Sequence, residues 1–219
     1  MIKVLIADDH AVVRRGLRDI LENQADMTVA GEAARGSEVL EMSRREHWDV
    51  AILDLAMPGK SGLDLLKQLK AERPELPVLI LSVHPEEQYA LRALKAGASG
   101  YMTKEMAPEQ LVAAVRKVVA GGRYVSEALA QKLAGRVADG VSGPPHESLS
   151  DREFQVLRMI GTGMTVGEIA RVLFLSPKTI STYRKRVLTK MGLRTSAELI
   201  HYAIRHGLAD PGSAPPNIE

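Results

Sequence analysis

Short, continuous apolar runs alternate with amphipathic segments through roughly the first half of the chain. A run without polar alternation predicts a strand that is buried on both faces, as in a parallel sheet. Apolar residues three and four positions apart predict helices between these runs. Four runs are clear, namely Lys3–Ala7, Val50–Leu53, Val78–Leu81 and Gly100–Thr103, and a weaker one covers residues 27–33.

Five strand–helix alternations predict an α/β fold in which helices cover both faces of a parallel sheet. Three helical segments cover residues 10–23, 36–47 and 63–69, and two further segments begin near Pro85 and Pro108. We therefore expect a doubly wound, five-stranded sheet in the first domain.

Glycine and proline mark the end of this first domain. Gly121 and Gly122 end its last helix, and the stretch DGVSGPPHE at residues 139–147 is typical of a linker. Between them, Ser126 is an N-cap candidate for a short helix over residues 126–138. The tail, residues 210–219, has three prolines and no periodicity and is predicted to be disordered. The predicted division is a first domain over 1–121, a linker over 122–147, a second domain over 148–209 and the tail.

Three capped helical segments predict a small, all-α second domain. Ser150 with Glu153, and Thr165 with Glu168, have the spacing of capping boxes at helix starts. A longer helix over residues 177–191 contains five basic residues and no acid. Two short helices, a tight turn and a basic helix are typical of a helix-turn-helix DNA-binding domain. A small helical bundle with a solvated basic face is the alternative.

Charge and composition separate the two domains and exclude several classes of protein. Residues 148–219 contain 10 Lys and Arg against 6 Asp and Glu, whereas residues 1–147 contain 19 against 21, which predicts different partners. The absence of cysteine excludes disulfides and thiolate zinc sites. No apolar run approaches the ~20 residues of a transmembrane helix. Because the N-terminus enters a strand that two acids follow, no signal peptide is predicted and we expect a cytoplasmic protein.

One acid lies where a buried strand should end. Asp54 directly follows the run Val50–Leu53 and precedes a turn signal, MPG at residues 57–59. An unpaired carboxylate is costly to bury, so Asp54 should lie where the strand emerges from the sheet. Taken alone, it could simply order the turn.

Polar side chains also end the neighbouring strands. Asp8 and Asp9 follow the first run, Ser82 ends the run before Pro85, and Lys104 follows Thr103. In open α/β sheets the binding crevice lies outside the carboxyl ends of the strands. Three carboxylates, one hydroxyl and one ammonium should therefore converge. The carboxylate oxygens of this cluster suit Mg²⁺. A divalent ion beside Asp54 favours phosphoryl chemistry in which Asp54 is the nucleophile.

These residues together resemble the receiver domain of bacterial response regulators, and the resemblance covers residues 1–121. It implies the flavodoxin-like strand order 2-1-3-4-5 and phosphorylation of Asp54 by a sensor histidine kinase. It assigns Mg²⁺ to Asp8, Asp9, Asp54 and the backbone carbonyl of Ala56. Ser82 and Lys104 would bind the phosphoryl oxygens, and Tyr101 would be the aromatic switch residue.

The segment from Leu149 to Leu193 resembles the LuxR-type helix-turn-helix. Joined to a receiver, it resembles a NarL/FixJ-type response regulator, and the two resemblances together cover nearly the whole chain. The resemblance implies sequence-specific binding to double-stranded DNA, a homodimer when phosphorylated, and a dimer face on the last helix, residues 195–206. Bases would be contacted by Ser181, Thr182 and Lys185, and phosphates by Lys178, Thr179, Arg184, Arg186 and Lys190. The family often has Ser-Asn-Lys where this chain has Thr-Val-Gly at residues 165–167, which weakens the case for backbone contacts there.

Two rival functions remain open at this point. A Mg²⁺-dependent phosphohydrolase would need a second acid close after Asp54 for proton transfer, and residues 55–57, LAM, supply none. A receiver-linked scaffold without DNA binding does not explain the basic helix. The sequence therefore predicts a phosphorylation-controlled transcription regulator that is not an enzyme.

Overall fold

The computed structural model describes residues 1–57, 62–139 and 144–209, which form two compact units that divide after Asp139. Part of the predicted turn after Asp54 and the predicted disordered tail, residues 210–219, lie outside the described residues. No helix in the described ranges is long and apolar enough to cross a lipid bilayer.

The first unit contains a five-stranded parallel sheet with the order β2-β1-β3-β4-β5, which confirms the predicted α/β fold. Each strand is followed by a helix, and the central strands β3 and β4 are buried along their whole length. The strands are β1 (Ile2–Ala7), β2 (Met27–Ala33), β3 (Val50–Asp54), β4 (Val78–Ser82) and β5 (Gly100–Thr103). The helices are α1 (Ala11–Glu22), α2 (Gly36–Arg45), α3 (Gly62–Glu72), α4 (Glu86–Lys95) and α5 (Pro108–Val119).

Two hydrophobic cores lie on opposite faces of the sheet, which explains the uninterrupted apolar runs. Leu5 and Leu53 belong to one core, together with residues of α2, α3 and α4. Val4 and Ile52 belong to the other core, together with residues of α1 and α5. Successive side chains of a strand point to opposite faces, so a strand covered on both sides needs apolar residues at every position.

The first unit continues beyond residue 121, where the sequence placed the end of the receiver. Tyr124 forms a parallel bridge with Gly100 of β5, and helix α6 (Glu127–Asp139) follows. Leu129 of α6 is buried in the core that contains α3 and α4. The boundaries predicted at residues 121 and 148 stay predictions, but α6 lies inside the segment that was assigned to the linker.

The second unit is helical over the residues that the structure describes, 144–209, as predicted. A 3₁₀ turn (Pro145–Ser148) precedes α7 (Asp151–Gly161), α8 (Val166–Val172), α9 (Pro177–Met191) and α10 (Ser196–Arg205). The capping boxes predicted at α7 and α8 are present. Ser176 caps α9, because its Oγ accepts a hydrogen bond from the backbone N–H of Thr179. The second unit therefore presents its basic helix after a short capped helix and a tight turn.

Candidate functional site

Asp54 lies at the carboxyl end of β3 and is almost fully buried, with 1% of its surface exposed. Its Oδ1 accepts a hydrogen bond from the backbone N–H of Ala56 at 3.0 Å. Its Oδ2 accepts one from Lys104 Nζ at 2.8 Å. The predicted ammonium therefore does reach the predicted carboxylate, although 50 residues separate them in the sequence.

The pairing of β1 with β3 brings the second carboxylate to the same place. Ala7 is the parallel partner of Leu53, so the residues that follow the two strands emerge side by side. Asp8 is buried, and its Oδ2 lies 2.6 Å from Lys104 Nζ. Lys104 thus contacts both Asp8 and Asp54.

Four residues at this rim could hold a metal ion. Asp8, Asp9, His10 and Asp54 each offer a ligand atom, and the four atoms lie within 4.8 Å of one another. The Oδ1 atom of Asp9 is buried, and the His10 ring that lies beside it leaves a lone pair of this oxygen available to a cation. A cluster of carboxylate oxygens with spare acceptor capacity fits a hard divalent cation such as Mg²⁺.

Sequence reasoning missed His10, although it directly follows the acid pair. Its Nδ1 lies 2.9 Å from Asp9 Oδ1, and its backbone N–H donates to Asp8 Oδ1 at 2.9 Å. His10 therefore helps to orient both acids at the start of α1. Adjacency to two acids was the available signal, but it does not reveal which way an exposed imidazole turns.

Burial and charge act in opposite directions on the central pair. Burial raises the pKa of Asp54, and the nearby Asp8 adds to the rise, while Lys104 and the Ala56 N–H offset only part of it. Burial alone would lower the pKa of Lys104, but Asp54 and Asp8 outweigh it and raise that pKa. Lys104 therefore stays a cation in a site that contains more than one carboxylate.

Ser82 and Tyr101 are linked through the backbone of one residue, His84. Ser82 is fully buried at the end of β4, and its Oγ accepts a hydrogen bond from the His84 N–H at 3.1 Å. Tyr101 is also buried, and its hydroxyl donates to the His84 carbonyl at 2.8 Å. Tyr101 is therefore bonded to the loop that follows Ser82, and its role as the aromatic switch residue stays a prediction.

Helix α9 presents most of its predicted DNA-contact residues to solvent. The exposed residues are Lys178, Ser181, Thr182, Lys185, Arg186 and Lys190. The other two predicted contact residues, Thr179 and Arg184, are half-buried.

Two of the basic residues on α9 also have partners within the second unit. Lys190 Nζ donates to Glu153 Oε2 at 2.7 Å, and Glu153 is buried at the start of α7. Arg184 Nε donates to Ser196 Oγ at 2.6 Å, which ties α9 to α10. Burial acts to raise the pKa of Glu153, but Lys190 and Ser150 outweigh it and lower that pKa. The sequence did not reveal these structural contacts.

We expect Lys190→Ala to lower the free energy of unfolding of the second unit by about 1–3 kcal/mol at neutral pH. The change leaves the buried Glu153 carboxylate without its ammonium partner. The depressed pKa means that this stabilisation is present above the unfolded-state pKa and is lost as the pH falls through the folded-state value. Urea unfolding at a series of pH values measures it. Lys185→Ala, on the exposed side of the same helix, is the matched control, and equal stability of the two variants at neutral pH would contradict the assignment.

Comparisons with known proteins agree with both units. The family model for the response regulator receiver domain matches residues 4–116, and the model for bacterial regulatory proteins of the luxR family matches residues 147–203. The chain is 39% identical to the response regulator UvrY of Escherichia coli over 211 residues, which is 96% of this chain and 97% of UvrY. It is 39% identical to the response regulator GacA of Pseudomonas aeruginosa over 214 residues, which is 97% of this chain and 100% of GacA.

A solved structure adds the DNA-bound form of a relative. RcsB from Salmonella enterica serovar Typhimurium, bound to promoter rprA in the presence of the phosphomimetic BeF₃⁻, matches with a TM-score of 0.67 and 29% identity. The match covers 92% of this chain and 97% of RcsB.

Fold, site and comparisons together define a two-domain protein with a receiver and a DNA-binding domain. The chain belongs to the NarL/FixJ-type two-component response regulators.

Proposed function

We propose that Asp54 accepts a phosphoryl group from a sensor histidine kinase and that this controls sequence-specific DNA binding by α9. The observation that carries the proposal is the position of Lys104. Its ammonium lies 2.8 Å from Asp54 Oδ2 and 2.6 Å from Asp8 Oδ2, at the rim where four potential ligands meet. A positive charge held there can bind the oxygens of an incoming phosphoryl group.

The transfer needs one bond to form and one to break. An Asp54 carboxylate oxygen attacks the phosphorus of a phosphohistidine, the P–N bond breaks, and the electron pair stays on the leaving imidazole. Lys104 and Ser82 bind the transferred oxygens. Bound Mg²⁺ would neutralise the charge that builds up on the phosphoryl group. It would be held by Asp8, Asp9, Asp54 and the carbonyl of Ala56.

The sequence directly after Asp54 argues against a hydrolytic enzyme. Asp54 is followed by Leu55, Ala56 and Met57, so the stretch provides no neighbouring acid to activate water. The acyl phosphate is therefore a signalling state, and the protein itself is the phosphoacceptor.

For DNA binding, we assign the N-terminal half of α9 to the major groove. Ser181 and Lys185 lie one turn apart and are both exposed, so they can approach the same base edges. The Thr182 hydroxyl already donates to the Lys178 carbonyl at 3.0 Å, which leaves it as an acceptor. Phosphates would be bound by Lys178, Thr179, Arg184, Arg186 and Lys190. The promoter-bound RcsB structure supports DNA as the partner of this domain.

The remaining partners follow from this role. We assign the protein to the cytoplasm, where a chromosomal promoter is accessible. We also propose that the phosphorylated protein forms a homodimer with residues 195–206 as the dimer face. The structures of RcsB include dimers bound to DNA, which supports a two-fold assembly on a duplex.

The proposal is tested by measuring DNA affinity with and without phosphorylation. We expect acetyl phosphate with Mg²⁺ to raise the affinity of the wild-type protein for a duplex selected from a random library by about tenfold, the size of a typical coupling between two sites. Asp54→Asn keeps the size of the side chain but loses the nucleophile, so its affinity should not respond. Fluorescence anisotropy at fixed salt measures both proteins. Equal affinity of the wild-type protein with and without the phosphodonor would contradict the proposed control.

A further inference from the structure

The residues after α5 return to the sheet and cover the edge of β5. The backbone N–H of Tyr124 donates to the Ser99 carbonyl at 3.0 Å, and the N–H of Tyr101 donates to the Tyr124 carbonyl at 2.9 Å. Gly100 allows this close approach, because a Cβ atom there would lie 2.7 Å from the Tyr124 carbonyl oxygen. The proposed switch residue Tyr101 is therefore bonded through its backbone to the segment that leads into α6.

A second contact attaches the same segment to α4. The backbone N–H of Ser126 donates to Glu86 Oε1 at 2.9 Å, across 40 residues of sequence. Ser126 Oγ accepts a hydrogen bond from the Leu129 N–H at 3.1 Å and so caps α6. The Ser126 N–H lies at the positive end of α6, and a carboxylate acceptor makes a strong hydrogen bond there. We call residues 124–129 the α6 anchor.

Glu86 lies only four residues after Ser82, and the loop between them is tied to the proposed phosphorylation site. His84 is bonded through its N–H to Ser82 Oγ and through its carbonyl to the Tyr101 hydroxyl. Its imidazole stacks on the ring of Tyr89 in α4, with 4.6 Å between ring centroids. A rotation of the Ser82 side chain toward a phosphoryl oxygen would take its Oγ away from the His84 N–H, so we expect the loop that ends at Glu86 to rearrange.

We propose that Glu86 is a positioning residue that couples phosphorylation of Asp54 to the start of α6. It holds the Ser126 N–H in the unphosphorylated protein and releases it when Ser82 engages the phosphoryl group. The inference rests on the proposed function and adds the route by which the signal leaves the receiver. The route ends at α6, the last helix of the first unit before the chain continues into the second.

Hydrogen exchange of the α6 anchor in the full-length protein tests this coupling. Without a phosphodonor, the wild-type amides should be protected, and acetyl phosphate with Mg²⁺ should speed their exchange by about tenfold, as expected for losing a hydrogen bond to a charged group. Glu86→Ala should exchange at the fast rate already and show no further response. Glu86→Gln keeps an oxygen acceptor and should restore both the protection and the response.

Two controls separate local from general effects. Glu109→Ala removes an exposed acid in the first turn of α5 and should behave like the wild-type protein. Amides of β1 report global unfolding, so faster exchange there as well would show that a variant had merely lost stability.

The outcomes distinguish this inference from the function on which it rests. Failure of the wild-type protein to gain a phosphoryl group, measured by intact mass in the same samples, would overturn the proposed function. A phosphorylated protein whose α6 anchor exchanges at the unchanged rate would overturn the coupling alone. The coupling would also be overturned if the α6 anchor of unphosphorylated Glu86→Ala exchanged as slowly as that of the wild-type protein, whether or not a phosphodonor then changed the rate.

Discussion

Replacing Asp9 by alanine should slow phosphorylation by acetyl phosphate by at least roughly 100-fold. Residues that merely support metal ligands already cost 10–100-fold in metal affinity when they are lost, and Asp9 is proposed as a direct ligand. Asp9 offers one of the four ligand atoms that lie within 4.8 Å of one another, and the His10 ring beside its buried Oδ1 leaves a lone pair of this oxygen for a cation. The variant should retain the fold, because its side chain is partly exposed at the rim.

The rate is measured by intact mass spectrometry over a series of Mg²⁺ concentrations. Asp19→Ala is the matched control, since Asp19 is an exposed acid on α1 outside the four-residue cluster. The wild-type protein and the control should show the same Mg²⁺ dependence. If Asp9→Ala shared that dependence, Asp9 would not be a ligand.

The second large effect is expected at the DNA interface, from two neighbouring basic residues with different roles. Lys185→Ala should weaken binding to the selected duplex by about 1–3 kcal/mol and relax the sequence preference, because lysine can donate to the acceptors of guanine. Arg186→Ala should weaken specific and scrambled duplexes alike and lower the salt slope by about one. Both side chains are exposed, and as successive residues of a helix they lie about 100° apart around its axis.

Anisotropy titrations over a salt series, on both duplexes, separate the two roles. Equal losses on the two duplexes for Lys185→Ala would move this residue to the phosphate contacts and leave base recognition to Ser181 and Thr182. Lys190 is left out of this test, because it is paired with Glu153 and we expect its loss to lower the stability of the domain.

The convergence of Asp8, Asp54 and Lys104 could be predicted because it follows from the sheet. Strands buried on both faces are recognisable in the sequence, and the polar residues that follow parallel strands must meet at one edge. Ser82 could be placed for the same reason. The strand order itself depended on the resemblance to receiver domains, since a pattern of alternating elements does not define neighbours.

Contacts that depend on loops or on distant elements could not be predicted. His84 is an ordinary loop residue in the sequence, but its backbone links Ser82 with Tyr101. The pairing of Lys190 with Glu153 crosses 37 residues, and the helical pattern of α9 gives no sign of it. The packing of α6 on the first unit was missed because glycine and proline around it suggested a linker.

The central claim is that Asp54 carries the phosphoryl group, and peptide mapping tests it most directly. After incubation with acetyl phosphate and Mg²⁺, the wild-type protein should gain the mass of one phosphoryl group. The peptide that contains Asp54 should carry it as a hydroxylamine-sensitive acyl phosphate, and Asp54→Asn should gain none. A phosphoryl group mapped to another residue, or full labelling of Asp54→Asn, would contradict the account.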